Sequence, residues 1–509
     1  MKKIKIIILT IISFTISYSC TDLEEINTDP NKSNEVAPGM LATQVLKDTY
    51  RFWNVNAADF LSGNVFNKHV VSAYNENPGQ YYWSYWPYGS FDSYTRLTDL
   101  NYMVKFAEGS TYEPSYRGLA LFMKAWYGFQ NTLDVGDIPY SEAGLASEGN
   151  FTPKYDKQAD VFQYILDDLQ EAEAYFAQGQ TFDGDIMFEG DPLKWQKLCN
   201  TLQLKVIQTM SKQATSADIA RFAAIVSAGN LMAGNDDNFK LSYSTNANAI
   251  FPFYQNGSTF YPVSILSELT VNSLKNLNDR RLFYFADPAP VQITGGLTED
   301  DFNAYVGALS SLPYSTIDVN AGNGEYSTVN NRYTMYQDND PMLYITYSEQ
   351  CFMIAEAIEE GWVSGSAQQY YEDGVKAQLE YYMNLPNTAG NVHGMDIDQT
   401  YIDNYFTGEA AYKTAGTKED RLHQIWTQRW LIDFFQGNGG NYPQFLRTGW
   451  PVYPLDPATS LNSDNTSVYP KRWLYPTGEQ TTNQTNYLNA IQDQYGGNDA
   501  TDQTPWYLQ

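Results

Sequence analysis

Histidine and cysteine are scarce in this chain of 509 residues, which has three of each. The histidines, His69, His393 and His423, are far apart and form no metal-binding spacing such as HExxH. Zinc sites and many nucleophile sites need closely placed histidines or cysteines as ligands or as the general base. The scarcity argues against a histidine-built metal or nucleophile site, and we predict no metal, no cofactor and no catalytic residue.

Two of the cysteines, Cys199 and Cys351, lie in apolar segments with helical periodicity. A buried cysteine behaves as a small hydrophobic residue, whereas a disulfide between the two requires an oxidising compartment. Both arrangements stay open from the sequence. Two buried free thiols are the favoured interpretation.

Basic residues are few, since 31 lysines and arginines stand against 59 aspartates and glutamates, a formal net charge of −28. Loss of the N-terminal segment described next removes Lys2, Lys3 and Lys5 and leaves −31. Nucleic acid and anionic lipid headgroups are repelled by such a surface. The charge therefore excludes nucleic acid as a partner and disfavours a polyanionic ligand.

Long apolar runs are absent except near the N-terminus, where three lysines precede an apolar stretch from residue 6 to residue 16. This stretch is shorter than the roughly 20 residues that cross a bilayer, and it ends at the small residues Ser17 and Ser19. A charged start, a short apolar centre and small residues before a cleavage point are typical of a signal peptide. We predict that residues 1–19 are removed.

Cys20 follows this segment at the position where a lipoprotein signal peptidase cuts. The match departs from the usual motif in one place, because Ser17 stands where leucine is common. Residues 20–36 are polar, acidic and almost without apolar side chains, which is typical of a flexible tether. We predict a lipid anchor at Cys20 and a folded body over residues 37–509. The alternative is a plain secretory peptide that happens to end at a cysteine.

Helical periodicity dominates the body. Asp191 and Pro192 have the form of an N-cap and a first-turn proline, and they open a segment whose apolar residues recur every three or four positions to Met210. Asp156 is placed as the N-cap of a similar segment that ends near Phe176. The other segments with this period are 41–52, 97–106, 116–133, 343–360, 367–382 and 422–435. Short helices in this number indicate an all-α fold of stacked helix pairs.

Four long stretches lack helical periodicity and are rich in Asn, Gly, Ser, Thr, Pro and Tyr: 236–262, 286–340, 386–416 and 449–487. Loops of this length inside a compact domain are usually functional. We expect a helical platform that carries elaborate loops and a few short β-hairpins.

Aromatic residues make up 15% of the chain, with 41 tyrosines, and many stand among polar residues. An aromatic ring covers the apolar C–H face of a sugar while its hydroxyl or indole N–H group stays available for hydrogen bonding. The candidate ligand-binding residues lie in two such polar settings and are Tyr81, Tyr82, Trp83, Trp86, Tyr254, Phe260 and Tyr261.

Core packing is the competing interpretation, because aromatic residues also fill the space between helices. We favour it for the aromatic residues of the periodic segments, Trp195, Trp362, Trp430 and Tyr347. Three further loop tyrosines are weaker ligand candidates: Tyr326, Tyr333 and Tyr336.

Short motifs recur in a distinctive order along the chain. They are NTDPN (27–31), GDIPYSEA (136–143), KYD (154–156), DPLKW (191–195), LQLK (202–205), YSE (347–349), AEA (355–357), QRW (428–430), RTG (447–449) and PKRWLYPTGE (470–479). Each motif is short, and the resemblance lies in the ordered set. The chain resembles the SusD/RagB family of nutrient-binding outer-membrane lipoproteins, and within it the SusD-like branch of starch-binding proteins that associate with the outer membrane.

The resemblance implies about four tetratricopeptide-like helix pairs, with loops on one side shaping a ligand site. It also implies a surface lipoprotein that captures an oligosaccharide or another nutrient and delivers it to a SusC-like TonB-dependent transporter, without bond-breaking chemistry. Asp22, Glu24 and Glu25 resemble the signal that sends such lipoproteins through the outer membrane to the cell exterior. Ligand aromatics vary between family members, so no candidate is carried over as a matched position.

Two other classes of protein stay open from the sequence. A surface glycosidase needs two facing carboxylates about 5 to 10 Å apart, and 59 acidic residues always allow some pair. No carboxylate here lies in a catalytic motif. A tetratricopeptide-like scaffold that binds protein without a small ligand is the second. A calcium ion is compatible with the acidity, but no EF-hand pattern places one.

Overall fold

The computed structural model describes residues 36–48, 63–73, 88–246, 249–254, 264–436 and 442–509. Within these ranges the chain is mostly helical, as the periodicity predicts. The helices of the N-terminal half are α1 (Pro38–Asp48), α2 (Arg96–Ala107), α3 (Glu113–Val135), α4 (Gln158–Phe176), α5 (Pro192–Thr209) and α6 (Ser216–Ala228).

Shorter elements follow in the middle of the chain. Strand β1 (Val70–Ser72) lies between α1 and α2, and strand β2 (Phe239–Leu241) follows α6. The elements after β2 are β3 (Ser264–Leu266), α7 (Glu268–Asn276), α8 (Arg281–Phe285), α9 (Pro290–Thr294), α10 (Tyr314–Gly322), α11 (Arg332–Met335) and β4 (Met342–Ile345). The C-terminal helices are α12 (Tyr347–Glu359), α13 (Ala367–Met383), α14 (Gln399–Asp403), α15 (Lys418–Leu431), α16 (Tyr442–Thr448), α17 (Glu479–Thr482) and α18 (Gln484–Tyr495).

The long helices pack in pairs. Helix α1 packs with α2, α3 with α4, α5 with α6, and α12 with α13. Neighbouring pairs are joined because α2 contacts α3, α4 contacts α5, and α5 contacts α12, while α15 packs against α12. The predicted all-α platform of about four helix pairs is confirmed. We call these pairs together with α15 and α16 the helical body.

Helix α5 begins as its sequence predicts. The Asp191 carboxylate accepts a hydrogen bond from the Leu193 N–H group at 2.9 Å, and Pro192 occupies the first turn. This cap satisfies one of the backbone donors that every helix start leaves without a partner. The proline costs nothing there, because its missing N–H group has no acceptor in the first turn.

Asp156 was predicted to be the N-cap of α4, but Lys157 holds that position. The Asp156 carboxylate instead accepts hydrogen bonds from the Tyr140 and Ser141 N–H groups, at 3.1 and 2.7 Å, and from the Ser141 hydroxyl at 2.9 Å. The prediction was wrong because a turn distant in sequence competes for this side chain.

The four strands form two small antiparallel sheets, β1 with β3 and β2 with β4. Small strands are thus present as expected, but each sheet joins segments far apart in sequence where hairpins were predicted. Residues 343–345, which the periodicity placed in a helix, lie in β4. That strand is buried along its whole length, and a short buried apolar run fits a strand as well as a helix.

The stretches without helical periodicity contain short helices as well as loops. Helices α9, α10, α11 and α14 are between four and nine residues long. Sequence reasoning did not find these short helices, because a few turns are too short to produce a readable apolar period.

The core is rich in aromatic rings. Trp195 and Trp430 are fully buried, which confirms their assignment to the core, while Trp362 and Tyr347 are partly buried and pack against it. Four phenylalanine rings lie within 6 Å of the Trp195 ring: Phe122, Phe176, Phe188 and Phe239.

Cys199 and Cys351 are buried free thiols, so the favoured interpretation is confirmed. Burial raises the pKa of both thiols, that of Cys351 to about 12. Of the helices described, none combines the length and the apolar character that a membrane crossing requires. The same ranges contain no group of three metal-ligating side chains.

Candidate functional site

Most of the predicted ligand residues lie outside the described residues, and so does Cys20. They stay predictions, and they are Tyr81, Tyr82, Trp83, Trp86, Phe260 and Tyr261. Tyr254 is the candidate whose surroundings the structure describes.

The described residues next to one end of each of the two segments that carry these six residues belong to the same sheet. Strand β1 precedes the first segment, strand β3 directly follows the second, and the two strands pair with Ser72 opposite Ser264. The attachment points of the two predicted aromatic clusters are therefore neighbours in space, although some 190 residues separate them in sequence.

Tyr254 is half-buried at the end of a segment held by buried rings. The Phe251 N–H group donates to the Gln337 carbonyl at 2.8 Å, and the Tyr254 N–H group donates to the Phe251 carbonyl at 3.1 Å. The Phe253 ring is fully buried and lies 5.6 Å from the ring of Phe435. Two buried phenylalanines thus fix a short segment whose last described residue is partly open to solvent.

The chain from Asn331 to Asn339 lies beside this segment through the bond to Gln337. Its buried anchor is Tyr333, whose ring lies 4.4 Å from that of Phe435 and 4.2 Å from the Arg332 guanidinium. Burial raises the pKa of the Tyr333 hydroxyl well above its usual value, so this side chain stays neutral. Tyr333 is a core residue and not a ligand residue.

The next residues of this chain reach the surface. The Met335 side chain is 45% exposed, and Tyr336 and Gln337 are half-buried. The Tyr336 hydroxyl accepts a hydrogen bond from Asn391 Nδ2 at 2.9 Å. Tyr336, the weaker candidate in the sequence, is therefore better placed than Tyr333.

Loop 386–397 completes this surface. Asn387 Nδ2 donates to the Asp338 carbonyl and carboxylate, both at 3.2 Å, so the loop is fastened beside Tyr336. These three segments are joined by hydrogen bonds, and we call their partly or fully exposed residues Tyr254, Met335, Tyr336, Gln337 and Asn387 the loop face. It combines two tyrosine rings and a thioether with amide groups that donate and accept, the mixture that suits a sugar or another neutral polar ligand.

The exposed charged group beside the loop face is a carboxylate. Arg332 is the sole basic residue between 286 and 340, and its side chain is buried. Its Nη1 and Nη2 atoms lie 2.6 and 2.7 Å from the Asp340 carboxylate, and its Nε atom donates to the Tyr284 carbonyl at 3.1 Å. The one exposed charge of the 331–339 chain, all of which the structure describes, is that of Asp338.

Tyr326 packs against the sheet of β1 and β3, which adjoins one end of each segment that carries the predicted aromatic clusters. It is 9% exposed and packs in a small cluster with Val71 and Ile265, and its hydroxyl accepts a hydrogen bond from Asn320 Nδ2 at 2.9 Å. Met335 and Gln337 were missed from the sequence because a methionine and a glutamine in a loop carry no distinctive pattern. Their position beside Tyr336 in a polar stretch is the signal that points to them.

Five of the ordered sequence motifs lie elsewhere, in the helical body. One residue from each of five motifs contributes to a buried chain of ion pairs: Lys205, Glu349, Arg429, Glu356 and Arg447. The successive nitrogen to oxygen distances are 2.9, 3.1, 3.7 and 2.5 Å. These residues join α5, α12, α15 and α16, so their role is to fasten helices together.

The electrostatics of this chain favour the ionised forms. Burial alone raises the pKa of the Glu349 carboxyl, but the charges of Lys205 and Arg429 outweigh burial, and the pKa lies below its usual value. We call the five residues the ion-pair chain.

Two further motifs in the described part of the chain, GDIPYSEA and PKRWLYPTGE, also serve the fold. The Asp137 carboxylate accepts a hydrogen bond from the Gln158 N–H group at 2.7 Å, which joins the turn 136–143 to the first residue of α4. Arg472 is buried, lies 2.6 Å from Asp499, and donates to the Val135 carbonyl at 3.1 Å. The motifs therefore identify the fold and do not mark the loop face.

The chain matches the model of a SusD-like family described as starch-binding and associating with the outer membrane, over residues 30–476. It is similar to a solved SusD homologue from Bacteroides fragilis NCTC 9343, with 33% sequence identity and a TM-score of 0.87, covering 93% of this chain and 100% of that chain. A second SusD homologue from the same strain has 30% identity and a TM-score of 0.81, with the same coverage.

A chitin-binding SusD homologue from Flavobacterium johnsoniae shares the fold at 18% identity, with a TM-score of 0.71, covering 93% of this chain and 98% of that chain. No curated protein matches the chain.

Proposed function

Because the chain belongs to the SusD-like family of starch-binding proteins that associate with the outer membrane, we propose that it is a surface lipoprotein that captures an oligosaccharide and passes it to a TonB-dependent transporter. The loop face is where the ligand binds, together with the predicted aromatic residues on the segments attached beside β1 and β3. The protein binds and hands over its ligand without cleaving it.

The composition of the loop face is the observation that supports this proposal. Tyr254, Met335 and Tyr336 offer apolar surface, and Gln337 and Asn387 offer hydrogen-bonding groups beside it. Both kinds of group are needed at a sugar site, because a pyranose has apolar C–H faces and a rim of hydroxyls. The acidic charge of the chain and the buried state of Arg332 favour a neutral ligand over a polyanionic one.

Calorimetry against a panel of neutral oligosaccharides and peptides tests the binding role. Trp83→Ala and Trp86→Ala should each weaken the binding of the panel member that binds, by on the order of 1 kcal/mol or about fivefold, because each removes a stacking ring. Tyr102→Ala is the matched control, since Tyr102 is 44% exposed on α2 in the helical body. Unchanged affinity in both tryptophan variants would contradict the predicted platform, and product formation in the same mixtures would favour a glycosidase.

The transporter partner and the lipid anchor have their own test. Purification of the native protein in mild detergent should bring down a TonB-dependent barrel, and repeated absence of any such barrel would argue against the handover role. The Cys20→Ser variant should leave the membrane fraction in cells that lack the barrel while its affinity for ligand in solution stays unchanged. Retention of that variant on such membranes would rule out anchoring through Cys20.

A further inference from the structure

The His393 ring lies between two carboxylates that come from different parts of the chain. Its Nδ1 atom is 3.0 Å from Glu299 Oε2, and its Nε2 atom is 3.1 Å from Asp287 Oδ1. Asp287 follows α8 and Glu299 follows α9, whereas His393 belongs to loop 386–397. The His393 side chain is 13% exposed, that of Asp287 is 19% exposed and that of Glu299 is 61% exposed, so the contact with Asp287 is largely removed from solvent and the contact with Glu299 lies at the surface.

This geometry selects one protonation state of the ring. An ionised carboxylate accepts hydrogen bonds and donates none, and a neutral imidazole carries a single N–H group. Both contacts of His393 are hydrogen bonds only when the ring is an imidazolium with two N–H groups. Loss of the proton breaks one contact and places a ring nitrogen lone pair against a carboxylate.

The backbone of His393 is unusual as well. Its φ angle is +54°, in the left-handed region, and Gly394 follows with a φ of +74°. Glycine adopts this conformation most readily, and among residues with a side chain it is uncommon, with asparagine, aspartate and histidine enriched in it. A histidine held in this conformation with both ring nitrogens in contact points to a role for its side chain.

Loop 386–397 connects His393 to the loop face. Asn391 is two residues before His393, and its Nδ2 atom donates to the Tyr336 hydroxyl, while its carbonyl accepts from Asn330 Nδ2 at 2.9 Å. Asn387 is bonded to Asp338 on the other side of Tyr336. The position of Tyr336 therefore depends on the position of this loop.

We propose that His393 is a proton-dependent latch that holds loop 386–397 against Asp287 and Glu299 and thereby sets the position of Tyr336 on the loop face. The latch is closed when the imidazole is charged and loosens when the imidazole loses its proton. Its effect on ligand affinity rests on the proposed function, while the latch itself does not.

The groups that face His393 agree with this assignment. Asp287 and Glu299 are the charged partners, Asp300 lies next to Glu299 in sequence, and the Tyr305 ring packs at 6.2 Å from the imidazole. Burial lowers the pKa of His393, but the hydrogen bonds to Asp287 and Glu299 outweigh it, and the pKa lies above its usual value. Because the folded-state pKa is raised, the stabilisation is complete below the pKa of an unfolded histidine and is lost as the pH rises through the folded value.

The scarcity of histidine makes a direct test possible. The whole chain labelled at its histidine rings should give three titrating sets of NMR signals, and single His→Asn variants assign them. Burial lowers the pKa of His69 to about 3 and lowers that of His423 as well. The latch requires the His393 signal to titrate last as the pH rises. Titration of His393 before His423, or below the pKa of free histidine, would overturn the proposal.

Hydrogen exchange then tests the mechanical part without any ligand. At low pH the backbone amides of residues 386–397 should be better protected in the unmodified chain than in the His393→Asn variant. This difference in protection should shrink as the pH rises through the measured pKa of His393. Comparing the two proteins at each pH cancels the pH dependence of the intrinsic exchange rate. Asparagine tolerates the left-handed backbone, so this variant keeps the loop conformation. His423→Asn is the control and should match the unmodified chain. Protection of the loop that is equal in His393→Asn and the unmodified chain at all pH values would refute the latch.

Ligand affinity is measured last and separately. If the oligosaccharide that binds in the calorimetric panel binds less tightly above the pKa of His393, and the His393→Asn variant loses that pH dependence, the latch controls the loop face. If no panel member binds, the proposed function fails, while the titration and exchange results still decide the latch.

Discussion

The helical body and the loop face are held together by different kinds of interaction. In the body, Glu349 and Glu356 are buried and form ion pairs with basic side chains from three other helices. On the loop face, Tyr336 and Asn387 are half-buried and are held by hydrogen bonds between neutral side chains or to one exposed aspartate. Residues of five sequence motifs lie in the first region, and the residues that we propose to contact a ligand lie in the second.

This difference explains why the sequence indicates the family more clearly than it indicates the ligand. A buried charge that loses its partner costs several kcal/mol, so the residue types at such positions are tightly constrained by stability. A half-buried tyrosine costs little when replaced, so the loop face can vary with the ligand. The motifs therefore report the fold, and the ligand has to be read from the loops.

The largest expected effect is the loss of Glu349. Glu349→Ala leaves Lys205 and Arg429 without their shared carboxylate, and we expect the free energy of unfolding to fall by about 3–5 kcal/mol. Denaturant unfolding of the Cys20→Ser background measures the change. The control is Lys418→Ala, which removes an exposed partner of Glu360 and should change stability by less than about 1 kcal/mol. Equal effects of the two substitutions would remove the distinction between body and surface.

A glycine in the body gives the next effect. A Cβ atom at Gly128 of α3 would lie 2.3 Å from Cε2 of the buried Tyr140 ring, so Gly128→Ala must displace the turn that carries Tyr140. We expect a loss of about 2–3 kcal/mol, since the steric cost exceeds the helix propensity that alanine gains. Gly478→Ala is the control, because its φ is −58° and an added Cβ atom would have no atom of the described chain within 4 Å. Thermal unfolding should show a marked fall for the first variant and little change for the second.

Asp433 lies at the boundary of the two regions, two residues before Phe435. Burial raises the pKa of its carboxyl to about 7, and its Oδ2 atom has no hydrogen-bond partner within the described part of the chain. An unfolded aspartate titrates near about 4, so the folded state holds the extra proton between these values and stability falls as the pH rises across them. Asp433→Asn removes this dependence.

The Asp433→Asn variant is compared with the unmodified chain at pH 5 and pH 8. We expect the variant to gain about 2–3 kcal/mol relative to the unmodified chain between the two values, because asparagine never charges and about two pH units of linkage at about 1.36 kcal/mol each are removed. Denaturant unfolding at both pH values gives the difference. A difference that is the same at both would show that the protonation state of Asp433 does not change between pH 5 and pH 8, contrary to a pKa of about 7.

Much of the body could be predicted from sequence because its signals are local. Asp191 and Pro192 indicate the start of α5, and the apolar periodicity places Trp195 and Cys199 on one buried face. The ion-pair chain could not be predicted in this way. Its members are spread over more than 240 residues, and nothing local indicates that the Lys205 side chain meets Glu349.

Which loop tyrosines are open to solvent could not be predicted from the sequence. A polar setting marked Tyr254, Tyr333 and Tyr336 alike, but burial separates them, because Tyr333 packs on Phe435 while the other two are half-buried. The difference depends on which loop crosses which, and a loop has no period from which to read it. The prediction of Asp156 as a cap failed for the same reason, since its partners belong to another turn.

The smallest expected effect is at Tyr336, and it distinguishes the two regions most directly. Tyr336→Ala should lower stability by less than about 1 kcal/mol, because the ring is half-buried and its hydroxyl makes one neutral hydrogen bond. The same change should weaken oligosaccharide binding about fivefold if the ring stacks on the sugar. Tyr112→Ala, at an exposed tyrosine that begins α3, should alter neither quantity. A loss of stability without a loss of affinity at Tyr336 would assign this residue to the scaffold and confine the ligand to the segments attached beside β1 and β3.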